Sequence, residues 1–269
     1  MKFEHIVIGG GIIGTTIAKA LEDRGEEVLL LDSASPHSGT RPSGGHFKHS
    51  WAGKMPKNVF EDSRETLDRV WGVKVEGEDK NEFCRVDIDK VLEYHRKQSF
   101  VERIDVRRNT VFTTEQTYKF DNLFVCTGFQ TAFLFPELKI QNKFGVSFRV
   151  PGKIAKAVIH QWAPYKQIVA HQQSRGRIWI GDGTAIIEKN WSDKNTEACR
   201  ERCLRFLKKK MNTPCQQHVG VRGYMEHNKA HPCFYQKRRN TRIIAGAAKM
   251  GTLSAGWAVN KIFKQLKMD

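Results

Sequence analysis

Three glycines and one acid set the chemistry open to this chain. In the stretch IVIGGGIIGTTIAKALEDRGEEVLLLD, residues 6–32, Gly9, Gly11 and Gly14 satisfy G-x-G-x-x-G, and Asp32 closes the run. That spacing suits a dinucleotide. Gly9 permits a tight turn, Gly11 puts no side chain between the backbone and a pyrophosphate, and Gly14 lets a helix pack on a sheet. Ile12 and Ile13 open that helix, whose free N–H groups and positive dipole end favour phosphates. Asp32, followed by Ser33, is placed to accept a hydrogen bond from a ribose hydroxyl. A glycine motif alone also fits a tight turn in an ordinary α/β protein. Here strand, turn, helix, second strand and terminal acid stand in register, which points to a cofactor site.

The elements that must hold these residues follow from the apolar pattern. Residues 5–8 and 28–31 read as strands flanking a helix over 12–24. Residues 33–53, SASPHSGTRPSGGHFKHSWAG, are rich in Ser, Gly, Pro and His and lack periodicity, so they read as a long functional loop. Helices are expected over 58–70 and 87–98, with Asn58 and Asp87 as caps. Short strands at 101–106, 110–114 and 117–120 form a meander, and a buried strand at 122–126 ends in Thr127-Gly128. Residues 143–187 alternate, with turns at Pro151-Gly152 and Arg175-Gly176, and read as an antiparallel sheet. An amphipathic helix follows over 195–211, its apolar stripe formed by Cys199, Cys203, Phe206, Leu207 and Met211. A strand at 241–245, a turn at 246–251 and a helix over 253–266 close the chain. The fold class is α/β: a Rossmann-like dinucleotide-binding domain with an antiparallel β-sheet substrate domain. Residues 1–142 form the first part, 143–215 the substrate domain, and 216–269 the return to the first domain.

At 269 residues the chain can bury a full core. Six cysteines include no C-x-x-C and no paired Cys/His cluster at zinc spacing, so neither a metal site nor a disulfide framework is expected. No signal peptide or membrane-length apolar run is evident, so a soluble, intracellular, cytoplasmic protein is expected. The net charge of +16 is uneven. Residues 1–100 hold 15 Lys+Arg against 17 Asp+Glu, residues 101–200 hold 15 against 9, and residues 201–269 hold 15 against 3. Such concentration suits a polyanion, nucleic acid first and an anionic membrane surface second, unless it is simply a solvated basic surface. Lys208–Lys210, and Arg238, Arg239 and Arg242 beside Phe234 and Tyr235, have the basic-aromatic character of a phosphate-and-stacking surface.

Taken together, the order of motifs resembles the FAD-dependent D-amino-acid oxidase family, which includes glycine oxidase, sarcosine oxidase and a tRNA carboxymethylaminomethyl-uridine oxidase. GGGIIG with Asp32 is similar to its adenosine-diphosphate site, SGTRPSGGHF to the loop running past pyrophosphate toward the flavin ring, and DNLFVCTG to its D-x-h-V-x-A-x-G strand. GVRGYM resembles its G-h-R-P element, and IIAGAAKMGTLSAG its closing turn and helix. Gly223 replaces the usual proline after Arg222, and Cys126 the usual alanine. The chain is also shorter than most members, leaving little room for a cap over the substrate.

The resemblance implies FAD, held by Gly9, Gly11, Ile12, Ile13, Gly14, Asp32, Ser33, Ser43, Gly44, Gly45, Val101, Thr127, Gly128, Gly246, Gly251, Thr252 and Leu253. It implies hydride transfer from a C–H bond beside an amine, hydrolysis of the imine, and dioxygen as possible acceptor. Arg222 is the expected carboxylate anchor, with Tyr224 sharing its strand face. Lys249 and His46 are expected near the flavin. Combined with the basic last quarter, this suggests oxidative removal of a glycine-derived group from a modified pyrimidine in DNA or tRNA. Free glycine, sarcosine or D-amino-acid oxidation is the alternative, and a non-catalytic dinucleotide- and nucleic-acid-binding protein the alternative of another class.

Overall fold

Ile6, Val7 and Ile8 are buried on successive, opposite sides of their strand, as a strand covered on both faces requires. In the computed structural model, which describes residues 1–51, 56–76, 82–164, 166–173, 176–225 and 233–268, this strand is β1 (Lys2–Ile8). It leads through the glycine turn into α1 (Ile12–Glu22) and β2 (Val28–Asp32). A second layer follows: β3 (His46–Phe47), α2 (Lys57–Trp71), β4 (Val73–Glu76), β5 (Phe83–Val86) and α3 (Ile88–Glu93). Next come β6 (Lys97–Gln98), β7 (Val101–Asp105), β8 (Thr110–Thr113), β9 (Thr117–Val125) and the short α4 (Thr131–Leu134).

The chain then builds β10 (Ile140–Pro151), β11 (Val158–Ala163), β12 (Lys166–Gln173), β13 (Arg177–Gly181) and β14 (Ile186–Ile187). It ends with α5 (Asp193–Phe206), β15 (Gln216–Met225), β16 (Cys233–Arg238), β17 (Thr241–Ala245) and α6 (Gly251–Leu266). No described helix is long and apolar enough to cross a membrane.

Three sheets result. The first has the order β16-β17-β9-β1-β2-β6, with β1 parallel to both β2 and β9, and α1 and α6 lie on one of its faces. The second is antiparallel, β11-β12-β13-β10-β14, with β15 also on β10. The third, β3-β5-β4, lies between them. The fold is therefore α/β and Rossmann-like, with an added antiparallel sheet. β15 pairs with β10 over its whole length, so residues 216–225, assigned from sequence to the returning segment, lie in the antiparallel sheet.

Several local expectations change. The 33–53 loop contains β3, because His46 and Phe47 pair with Arg85 and Cys84. Pro56, not Asn58, caps α2, since its missing N–H costs nothing at a helix start. Asp87 does cap α3, accepting from the Asp89 amide, but α3 ends at Glu93 because Lys97 and Gln98 pair with β2. The two strands read at 117–126 are the single strand β9, antiparallel to β8 and then parallel to β1. α5 begins after a Ser192–Asn195 capping box and stops at Phe206, leaving Met211 exposed outside the stripe. The turn read at Arg175-Gly176 falls partly outside the described residues.

Candidate functional site

The glycine turn is built as a cradle. Gly9 has φ +104°, and a Cβ there would stand 2.5 Å from the Cys126 carbonyl oxygen at the end of β9. A Cβ on Gly14 would run into the Gly9 carbonyl, so α1 rests directly on the turn. At Gly11 the nearest atom to such a Cβ is the Thr40 hydroxyl, 3.0 Å away. Thr40 also accepts from the Ile12 amide at 2.8 Å, which takes the first donor of the helix. The next amides, of Ile13 and Gly14, have no i−4 carbonyl within the helix and are suited to an anion. No acidic residue occupies the first turn of α1. A pyrophosphate therefore fits this turn both sterically and electrostatically.

Asp32 ends β2 as expected, but it carries a partner that the sequence did not disclose. Arg96, just beyond α3, donates to Asp32 Oδ2 at 3.3 Å and to the Gly10 carbonyl at 2.7 Å. Its other amine donates to the Val91 and Leu92 carbonyls, closing the end of α3. A side chain on Gly10 would collide with both Asp32 and Arg96. Ser33 lies 3.4 Å from Gln130, and Thr127 bonds Thr131. Gly128, at φ +58°, has open space where a Cβ would point. The Val101 and Leu253 side chains are core, so only their backbones can face a cofactor. Burial raises the Cys126 thiol well above its ordinary pKa, so it stays protonated beside the cradle.

The antiparallel sheet has two different faces. Val146, Phe148, Val150, Ile178 and Ile180 pack under Cys199, Cys203 and Leu204 of α5. Residues opposite one another across strands share a face. The other face thus carries Lys143, Gly145, Ser147 and Arg149 on β10, His218, Gly220, Arg222 and Tyr224 on β15, and Trp179 and His171 on β13 and β12. This face receives the long loop of the dinucleotide-binding part. Gly220 has no room for a side chain because Pro42 sits on it, and the Val221 amide donates to the His37 carbonyl at 2.9 Å. The Trp179 indole donates to the Pro42 carbonyl at 3.2 Å. Ser147 Oγ, His218 Nε2 and Arg149 Nε on this face are buried without hydrogen-bond partners among the described residues.

The sequence-derived site residues form two groups. Arg222 lies over Gly145, its guanidinium without a hydrogen-bond or ion-pair partner among the described residues. Tyr224 bridges to Ala247, next to Gly246 and in the turn that leads to Gly251 and Thr252 of α6. Lys249 lies in that turn, but its side chain falls outside the described residues.

His46, by contrast, meets His171 at 3.0 Å, with Phe83 and Trp179 around it. Burial, reinforced by the Arg85 charge, pushes its pKa down to about 3, and His171 is lowered in the same sense. Arg149, in register with Trp179, lies six residues along β10 from Lys143, which is in register with Arg222. At strand rise that is about 20 Å. The side chains close part of that gap: Arg222 leans over Gly145, the partner of Gly220, while Pro42, seated on Gly220, accepts from Trp179, which packs on His46. Trp179, His171, Thr40 and Arg96 were missed because only tertiary pairing brings them here.

The basic last quarter is dispersed rather than gathered at the cradle. Arg238 pairs with Thr241 at the start of β17, toward the end of the parallel strands opposite the glycine turn. Arg242 is buried, donating to Gln265 and Asn122. Phe234 and Tyr235 are half-buried, each packing one side against a core of the first sheet.

This fold and cradle are those of a flavin- and nucleotide-binding oxidoreductase. Residues 3–169 match the pyridine nucleotide-disulphide oxidoreductase family, and the chain belongs to it. It is an oxidoreductase that binds FAD. Among solved structures it is similar to glycine oxidase from Bacillus cereus, with 14% identity, TM-score 0.73, and 99% of this chain and 96% of that one covered. It is similar to L-proline dehydrogenase from P. horikoshii, with 16% identity, TM-score 0.72, and 98% and 93% covered. L-amino acid deaminase from Proteus vulgaris matches at 12% identity and TM-score 0.67, with 100% and 91% covered. A comparison with curated proteins found no match.

Proposed function

We propose that the protein oxidises the C–H bond beside the nitrogen of an amine or small amino acid, using FAD. The observation that carries this reading is Arg222, a guanidinium without a partner among the described residues, on the substrate-sheet face two residues before Tyr224, which bridges to the turn that opens α6. Solved enzymes of the same fold, named as a glycine oxidase, a proline dehydrogenase and an amino-acid deaminase, support it. Bound FAD would accept the hydride. Arg222 would grip the substrate carboxylate through its planar fork, and Tyr224 would donate to the same group. The amino end of α6, at Gly251 and Thr252, would favour negative charge developing on the cofactor.

A second reading rests on charge. Fifteen basic against three acidic residues in positions 201–269 suit a substrate carried on nucleic acid, such as a glycine-derived group on a modified thymine or uridine. On that reading the product is an aminomethyl base. Anaerobic bleaching of the flavin by glycine, sarcosine, proline and a glycyl-modified oligonucleotide ranks the two. Reduction by a free amino acid supports the first reading, and reduction by the oligonucleotide alone supports the second.

A further inference from the structure

A cavity of about 860 Å³ lies between the β3-β5-β4 sheet and the edge of the substrate sheet, away from the glycine cradle. Its walls include Ser43 and Gly44 of the long loop, His171, Lys74, Glu76 and Arg85. The register makes this lining deliberate: His46 and Lys74 both stand opposite Arg85, and Glu76 opposite Phe83, so all five share one sheet face. Arg85 is buried and commits its Nε and Nη2 groups to a single oxygen, Glu76 Oε1. Its Nη1 amine is left without a partner among the described residues. Glu76 Oε2 is buried and unpartnered as well. One ion pair thus offers one unused donor and one unused acceptor at the same cavity.

The lining sets Lys74, Arg85, Lys90 and Lys156 against Glu76, Asp87, Asp89 and Glu93, so its charges balance and suit a ligand that carries both an anion and a hydrogen-bond donor. Asp87 caps α3 and Asp89 pairs with Arg149.

We propose that this cavity binds an oxyanion bearing its own hydrogen-bond donor, with the oxyanion on Arg85 and the donor on Glu76 Oε2. A carboxylate beside an ammonium and a hydrogen phosphate both have that chemistry. The site is distinct from the Arg222 anchor, which is not among the residues that line the cavity. It stands on the described geometry whether or not amine oxidation is the reaction.

Calorimetric titration of FAD-loaded protein in an Arg222→Met background tests it, with glycine, inorganic phosphate and acetate as probes. The expected result is binding of glycine or phosphate more tightly than acetate, which carries no donor. Glycine alone would indicate an amino-acid carboxylate as occupant, and phosphate alone a nucleotide phosphate. Arg85→Met should weaken binding about tenfold or more, the scale of a charge-assisted hydrogen bond. Glu76→Gln should erase the preference over acetate. Because Arg85→Met strands a buried carboxylate, the double variant Arg85→Met/Glu76→Met, which removes both partners, provides a folded test. Lys74→Met, on the rim, should weaken binding less. Absence of binding by all probes, or parent affinity in the double variant, would overturn the proposal.

Discussion

The Arg96 guanidinium meets the Asp32 carboxylate at 3.3 Å directly over Gly10, so the acid that ends β2 is not a bare charge. An anionic pyrophosphate approaching Gly11 would otherwise face an unscreened carboxylate. Arg96→Met should therefore weaken FAD about tenfold to a hundredfold, the range of a lost charge-assisted hydrogen bond. The double variant Asp32→Asn/Arg96→Met should be milder, because the repulsion goes with the charge. Titration of apoprotein by quenching of flavin fluorescence measures both. Parent affinity in Arg96→Met would reduce the pair to a clasp on α3.

Gly14→Ala should lose FAD and destabilise the fold by about 1–3 kcal/mol, since its new methyl collides with the Gly9 carbonyl and α1 must shift. Gly251→Ala is the control. There a Cβ would meet Ile12 at 3.6 Å, an ordinary contact, and φ is −51°. Thermal melting compares the fold of the two variants and flavin absorbance reads FAD in Gly14→Ala; equal melting of the two would contradict the cradle geometry.

The glycine turn, Asp32 and the closing strand-turn-helix were legible because their spacing is local, set by one strand and one helix start. Arg96 was not, because it reaches Asp32 only after α3 stops short and residues 97–98 join β2. His171 looked like any residue of an alternating strand until β12 and the long loop were brought together. The packing of His46 on His171 and Trp179 was hidden for the same reason. The sequence could not say how far Phe234 and Tyr235 pack inward, because an aromatic beside arginines reads alike whichever way its strand faces; both are half-buried.

Stability should depend on pH through His46. Its folded pKa near 3 lies below the ordinary 6.5, so the neutral form's contribution is complete above about pH 6.5 and declines as pH falls toward 3. His171 shifts in the same direction. His46→Gln should therefore flatten the fall of melting temperature between pH 6.5 and 3. A parent-like slope in the variant would mean that the imidazole is already charged in the folded protein.

Reversing Lys208, Lys209, Arg238 and Arg239 to Glu separates the two substrate readings. For a nucleic-acid-linked substrate, log affinity falls with log salt by roughly 0.9 per duplex phosphate neutralised, and the reversal should flatten that slope. Oxidation of a free amino acid should survive, since these residues lie away from Arg222. Equal turnover of both substrate types after reversal would leave the basic surface incidental.

Anaerobic titration of the purified protein, followed by flavin absorbance, tests the central claim most directly. A bound FAD spectrum should bleach on adding a glycine-type amine, with bleaching abolished or greatly slowed in Arg222→Lys while the flavin stays bound. A flavin spectrum that no amine, free or polymer-linked, bleaches would contradict it.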